Sequence, residues 1–393
     1  MTLTATRAIF SVLTMTLFTV QSDNDKTSGN ITLFLSGDVM TGRGIDQILH
    51  ESVPPVLYES YVKDARHYVK LAEMANGPVP SPVEPSYIWG FALEELTVRA
   101  PDLRIVNLET SITVSGDAWE DKGVHYRMHP ANTPVLSIAR IDGVTMANNH
   151  TLDWGYEGFE ETLSSLEKAG ISFAGAGRNK REAAAPIVFT VRGRRVLVFG
   201  IGMRGSGIPR EWEATGKRPG VFLLEDFSEK SLLEVQKAVL QTARKDDLVI
   251  ASIHWGGNWG YEVSQRQRDF AHSLIDDCRV DLVHGHSSHH VKGFEVYKRK
   301  LILYGCGDLI TDYEGISGHE SYRSGLGLLY FPTLNASGNL KALEMVPTRM
   351  KRLQLVRPED PEVDWLAEVL SRESTPEGLP IEKTSFNTIR VEF

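Results

Sequence analysis

Short apolar runs and amphipathic stretches alternate along most of this chain, and polar residues recur where the apolar runs stop. Residues 31–35 form an apolar run that leads directly into Ser36-Gly37-Asp38, the pattern of a buried strand. Residues 46–70 have helical character, and a helix at 91–99 precedes a second buried strand at 103–107. Strands are predicted at 144–147, 171–174, 187–190 and 196–201, with an amphipathic helix at 158–169. Helices at 232–245 and 265–276 flank a strand at 247–253. Strands at 282–284, 294–297 and 301–305 follow, then a closing hairpin formed by 325–331 and 340–349. Alternating helices and strands that give way to hairpin-like pairs predict an α/β domain with parallel and antiparallel pairing.

Between these elements lie less regular segments. Residues 76–85 carry Pro78, Pro80, Pro82 and Pro85 and must be a loop, one placed to shape an entrance. Periodicity fades from 115 to 134, where His125, Arg127 and His129 alternate in a hairpin or a substrate-facing loop. Residues 21–30 are a polar linker, and 363–372 predict one more helix. Ahead of the linker, an apolar and threonine-rich run at 9–20 follows Arg7 and resembles a secretory signal peptide too short to span a membrane. Its alternative is an extra helix or edge strand. The first reading places the chain outside the cytoplasm or at a membrane, the second inside the cytoplasm.

Composition narrows the partners. The 393 residues carry a formal charge of -9, which argues against nucleic acid because a backbone binder needs a basic face. An anionic substrate remains compatible, since bound cations invert the local field. Cys278 and Cys306 read as small buried side chains rather than a disulfide or ligand pair.

The chemistry gathers at strand ends, where open α/β sheets place their ligands. Asp38, then Asn107 and Glu109, then Asn148, Asn149 and His150, then His254, and finally His284, His286 and His289 all stand at or just past the ends of predicted strands. Each alone has an ordinary alternative. Asp38 could cap a helix, Glu109 pair with a base, Asn149 make a turn and His254 pack in the core. Four imidazoles in the seven residues from His284 to His290 are harder to explain without a function. Oxygen donors mixed with imidazole suit one or two divalent ions of the Mn, Fe(II), Zn, Mg or Ca kind. Two ions bridged by a carboxylate would clamp an oxyanion and activate water.

Several segments occur in an order that resembles the CapA/PgsA poly-gamma-glutamate (capsule) biosynthesis family of the calcineurin-like metallophosphoesterase superfamily. They are Gly37-Asp38-Val39-Met40 with Gly42-Arg43, Asn107-Leu108-Glu109-Thr110, and Ala147-Asn148-Asn149-His150 through Asp153 and Gly155. His254-Trp255-Gly256, Gly285-His286-Ser287-Ser288-His289, Gly293-Phe294-Glu295-Val296-Tyr297 and Gly307-Asp308-Leu309-Ile310 complete the set. The resemblance implies a β-sandwich flanked by helices, four layers in the order α/β/β/α. It implies a domain at 31–350, after a leader or N-terminal extension with its linker at 1–30, and a C-terminal extension at 351–393 packing on it.

The resemblance also assigns roles. It implies metal ligation by Asp38, Glu109, Asn149, His254, His286 and His289, with Glu109 bridging and His289 turning back toward the first ion. His150 matches a histidine that contacts the substrate or protonates a leaving group, Asp153 would orient it, and Arg43 would clamp an anion. The superfamily's histidine two residues after the first Asp is replaced by Met40, which predicts a weak, open or empty first position and a firmer His286 side.

The implied function is synthesis or export of poly-gamma-glutamate or a related polymer, by metal-assisted hydrolysis or transfer on an anionic polymer or peptide. A membrane-bound biosynthesis complex is the implied association. Phosphoester hydrolysis, metal-dependent peptide epimerisation and non-catalytic polymer binding are the alternatives. Trp119, Trp154, Trp255, Trp259 and Tyr261 either pack in the core or wall the substrate, and Arg204 and Arg210 could add anion contacts.

Overall fold

A computed structural model describes residues 29–376 and 378–392, so the apolar run at 9–20 and most of the linker lie outside the described residues. In chain order the main strands are β1 (Ile31–Val39), β2 (Leu103–Leu108), β3 (Gly143–Thr145), β4 (Ser172–Ala174), β5 (Ile187–Val191) and β6 (Arg194–Met203). There follow β7 (Leu248–His254), β8 (Leu282–His286), β9 (Phe294–Tyr297), β10 (Lys300–Leu303) and β11 (Asp308–Ile310). The last are β12 (Leu326–Leu334), β13 (Leu340–Met350), β14 (Ile381–Lys383) and β15 (Ile389–Glu392). One sheet runs β14-β15-β13-β12-β1-β2-β3-β4, with β11 parallel to β1. In the second, β6, β7, β8 and β10 are successive parallel neighbours, edged by β5 and β9.

Alternation along the strands builds the layers, because successive side chains point to opposite faces. Ile31, Leu33 and Leu35 of β1 meet Val196, Val198, Leu248 and Ile250 of the other sheet in one core. On the far side of the first sheet, Phe34, Val106 and Val144 pack on Leu96 and on Phe159, Leu163 and Leu166 of the helix Gly155–Ala169. On the far side of the second, Leu197, Phe199, Val249 and Ile253 pack on Val235, Val239, Phe270 and Leu274. The helices Glu229–Thr242 and Gln265–Asp276 supply those last four. The result is helix, sheet, sheet, helix, a mixed α/β architecture of the metallophosphoesterase-like kind.

Several local expectations change. β1 continues past Leu35 to Val39, with an irregularity in its pairing to β2 between Leu35 and Asp38. Segment 46–70 is mostly irregular chain between two helices, Gly44–Gln47 and Arg66–Asn76. Segment 115–134 is no hairpin: Ser111–Ile112 pairs in parallel with Arg127–Met128. Past residue 350, β15 pairs with β13, while Val363, Leu366 and Leu370 enter the core between the sheets. Cys278 and Cys306 are buried and free. Among the described residues no helix is long and apolar enough to cross a membrane.

Candidate metal centre

Register delivers the donors. Asp38 on β1 pairs with Asn107 on β2 and with Asp308 at the start of β11. On the other sheet His254 of β7 pairs with His286 of β8. Where the sheets meet, these rows face each other, and His286 Nδ1 stands 3.8 Å from Asp38 Oδ1. Glu109 follows β2 directly, its N–H donating to the Val39 carbonyl at 3.1 Å. Two compact donor groups result, Asp38/Glu109/Asp308 and Asp38/His254/His286, each with ligand atoms within 4.8 Å of one another and all buried. Asp38 belongs to both. Asn107 Nδ2 fixes it at 2.7 Å and the Ser287 N–H at 3.3 Å. Asn149 joins through Oδ1, 2.8 Å from His254 Nε2.

The electrostatics suit a cation. Burial pushes the Asp38 carboxyl up to about 7, and Asp308 adds to the shift. Burial and then the charges of Asp38 and Asp308 hold Glu109 well above the usual carboxylate range. Among the described residues no donor reaches Glu109 at hydrogen-bond distance; the nearest ring nitrogens, of His150 and His254, stand at 3.9 Å. With Asp308 beside them, Asp38 and Glu109 make a cluster of three buried carboxylates that needs a counter-charge. Burial, and next to it the neighbouring imidazoles, depress His254 and His286, which keeps both neutral with lone pairs to offer. The donor set therefore fits one or two divalent ions. Asp308 also bears on Met40: it adds a third carboxylate to the Asp38 and Glu109 group, which Met40 cannot join with a hard donor.

The four clustered imidazoles divide their roles. Of them only His286 enters a compact donor group. His284 ties the sheets together through the Ser36 carbonyl at 2.7 Å and Ser252 Oγ at 3.0 Å. His289 stands behind Asp308, its Nδ1 3.1 Å from both carboxylate oxygens. His290 is buried among Trp259, Tyr261 and Tyr322.

Beside the centre, His150 Nδ1 lies 2.7 Å from Asp153 Oδ2, and Lys122 Nζ lies 2.7 Å from Asp153 Oδ1 and 3.2 Å from the same Nδ1. The shorter contact to a carboxylate assigns the Nδ1 proton to the Asp153 bond. Burial, then Lys122 and Arg43, hold His150 well below the ordinary histidine value. Asp153 is pushed up to about 6 by burial, against the pull of Lys122. Asn148 sets the turn, its Oδ1 accepting from the His150 N–H at 3.0 Å.

Arg43 needs correcting as an anion clamp. Its Nε donates to Asp312 Oδ2 at 3.2 Å, its Nη2 to Asp312 Oδ1, and its Nη1 to Glu59 Oε1 at 2.9 Å. The fork is thus committed to two carboxylates inside the protein, with the Tyr68 ring 3.8 Å away on its face. Arg43→Met would leave Asp312 and Glu59 buried without a counter-charge, with only the Gly44 N–H and the Tyr68 hydroxyl as donors to them. An expected loss of about 3–5 kcal/mol in urea unfolding follows.

Among the aromatics, Trp154 and Trp255 are buried in the core, whereas Trp259 lies 5.6 Å from the His289 ring and stacks on His319 at 3.8 Å. Arg204 pairs with Glu225. The residues that sequence pattern alone does not single out are Asp308, Lys122, Tyr126 and Tyr313. Asp308 was within reach, since it stands in the Gly307-Asp308-Leu309-Ile310 segment, but it opens its strand instead of ending it.

Comparison with known proteins places the chain in a family. The family described as "Bacterial capsule synthesis protein PGA_cap" matches residues 32–313, a span that encloses every residue of the centre. A "Probable polyglutamine synthesis accessory protein" of Mycobacterium tuberculosis is 44% identical over 364 residues, 92% of this chain and 96% of that protein. The "Capsule biosynthesis protein CapA" of Bacillus anthracis is 24% identical over 282 residues, 72% of this chain and 60% of that protein. The "PGA biosynthesis protein CapA" of Bacillus subtilis is 27% identical over 226 residues, 56% of this chain and 56% of that protein. On the extent of that family match and the near full-length similarity to the mycobacterial protein, the chain belongs to the bacterial capsule synthesis protein family PGA_cap.

Proposed function

We propose that this chain supports synthesis or export of poly-gamma-glutamate or a related anionic polymer, acting on a carboxylate- and amide-rich chain by metal-assisted hydrolysis or transfer. The observation that carries the reading is the convergence of two buried donor groups on Asp38, beside the His150–Asp153 pair. The names of the relatives, which speak of polyglutamine synthesis, capsule biosynthesis and PGA biosynthesis, support a polymer of this kind. "Accessory" in the first of them favours work alongside a biosynthesis complex, which we place at a membrane as part of the proposal. A position outside the cytoplasm suits such a role, and sequencing the mature N-terminus tests it: an intact Met1 from a secreting host would count against export.

Asp38, Glu109 and Asp308 would hold one ion, and Asp38, His254 and His286 with Asn149 a second. A divalent ion there supplies Lewis-acid polarisation of a carboxylate, amide or phosphoryl oxygen. The protein's own part is proton handling. Asp153 fixes the His150 tautomer, so Nε2, on the Glu109 side, is left to give or take a proton at the scissile group. Lys122 offsets the Asp153 charge and anchors the loop through the Val124 carbonyl at 2.7 Å.

A phosphoester substrate is the second reading, favoured by Asp308, which supplies the donor that Met40 does not. Metal-loaded protein incubated with oligo-γ-glutamate, a phosphodiester and a peptide in deuterated water separates the chemistries. Shortening of the oligomer is expected. Phosphoester cleavage alone would transfer the assignment to the second reading, and Cα deuterium uptake alone would make the protein an epimerase. His150→Ala is expected to keep its metal and lose turnover by about 10²–10⁴-fold. Turnover at the wild-type rate would remove His150 from the mechanism.

A further inference from the structure

Two tyrosines pack on the histidines that flank the carboxylates. Tyr126, 4% exposed, stacks its ring on His150 with centroids 3.8 Å apart. Tyr313, three residues past β11, sets its ring edge-on to His289 at 5.4 Å. Their hydroxyl oxygens meet at 2.6 Å. The pair therefore bridges from the histidine beside Glu109 to the histidine on Asp308. Behind the rings lies Arg43, its guanidinium carbon 4.7 Å from the Tyr126 centroid and 5.5 Å from that of Tyr313. Asp312, next in sequence to Tyr313, holds that guanidinium.

Two phenols carry two O–H donors, and the contact between them uses one. Among the described residues the second O–H has no acceptor. Burial raises both phenols above their ordinary value, so each stays protonated near neutral pH. An uncommitted phenol donor, part-buried beside a candidate metal centre, is arranged to receive an anionic oxygen.

We infer that Tyr126 and Tyr313 form an oxyanion subsite, whose free O–H donates to a carboxylate or phosphoryl oxygen of a ligand that also faces the metal centre. The inference rests on the metal reading above. It has a distinctive signature. Removing one hydroxyl frees the other to donate, so single variants keep a donor and only the double variant loses it.

The test is calorimetric titration of Mn²⁺-loaded wild type, Tyr126→Phe, Tyr313→Phe and the double variant with penta-γ-glutamate and, separately, inorganic phosphate. Each phenylalanine retains the ring contacts. Expected is a loss of about threefold or less in each single variant and about tenfold or more in the double variant, with Mn²⁺ affinity unchanged. The arm that shows the loss identifies the oxygen as carboxylate or phosphate. Double-variant binding equal to wild type, parallel loss of Mn²⁺, or Mn²⁺ uptake with no binding of either anion would each overturn the subsite alone. Failure of the wild type to take up Mn²⁺ would instead remove the metal reading, and the subsite with it.

Discussion

Replacing Asp38 by alanine is expected to strip both halves of the centre of metal at once. Its carboxylate is the one group common to the Asp38/Glu109/Asp308 and Asp38/His254/His286 sets. Residues that merely orient ligands already cost about 10–100-fold in metal affinity when changed, so a shared ligand is expected to cost about 100-fold or more. Asp308→Ala and His286→Ala each belong to one set and are expected to weaken one site while leaving metal at the other. Titration with Mn²⁺, paired with circular dichroism in chelator, separates loss of metal from loss of fold. An Asp38→Ala protein that binds as the wild type does would mean that Asp38 is only a structural carboxylate.

The second large effect is expected one residue earlier. β1 and β11 lie so close that a Cβ on Gly37 would stand 1.6 Å from the Gly307 carbonyl oxygen and 2.6 Å from its carbon. Both are backbone atoms, so no side chain can swing away. Gly37→Ala must pry the two strands apart at the point where the Asp38 N–H donates to Gly307 O at 3.0 Å. An expected loss of about 3 kcal/mol or more follows from overpacking and the broken pairing, measured by urea unfolding. Metal affinity is expected to fall with it, because Asp38 and Asp308 are the next residues along the two strands. Gly170→Ala is the control. Gly170 has φ +70° and open space around its Cβ position, so only backbone strain of about 1 kcal/mol applies. Equal effects at the two positions would show that the close approach at Gly37 is not what demands glycine.

Much of this was legible because the fold relies on period-two burial. Ile31, Leu33 and Leu35 read as a strand in the sequence and are a strand in the core. Ser36-Gly37-Asp38 reads in sequence as the end of the strand, since polar residues ordinarily mark an exit to solvent. Here the inner edge of the sandwich is itself polar, and β1 and β8 carry Asp38 and His286 within their paired length. The mixed apolar and charged pattern at 46–70 misled for a related reason. Glu59 is there to meet Arg43, not to face water from a helix.

What stayed hidden depends on contacts distant along the chain. Arg43 meets Asp312 across 269 residues, and Tyr126 meets Tyr313 across 187. No local period marks such partners, so a guanidinium that looks available in sequence proves committed in three dimensions. Asp308 escaped because strand-end reasoning looks where parallel strands finish, whereas it sits where β11 begins, level with Asp38. That placement changes the reading of Met40. The side of the centre that the sequence marked as weaker has three buried carboxylates.

Two donor groups share Asp38, one of carboxylates and one completed by imidazoles, and each is expected to hold an ion. Crystals of the protein grown with Mn²⁺ and measured at the manganese absorption edge test it most directly. The expected result is anomalous density among Asp38, Glu109 and Asp308 and a second peak among Asp38, His254 and His286. Protein saturated with Mn²⁺ yet showing no peak in contact with Asp38 would contradict it.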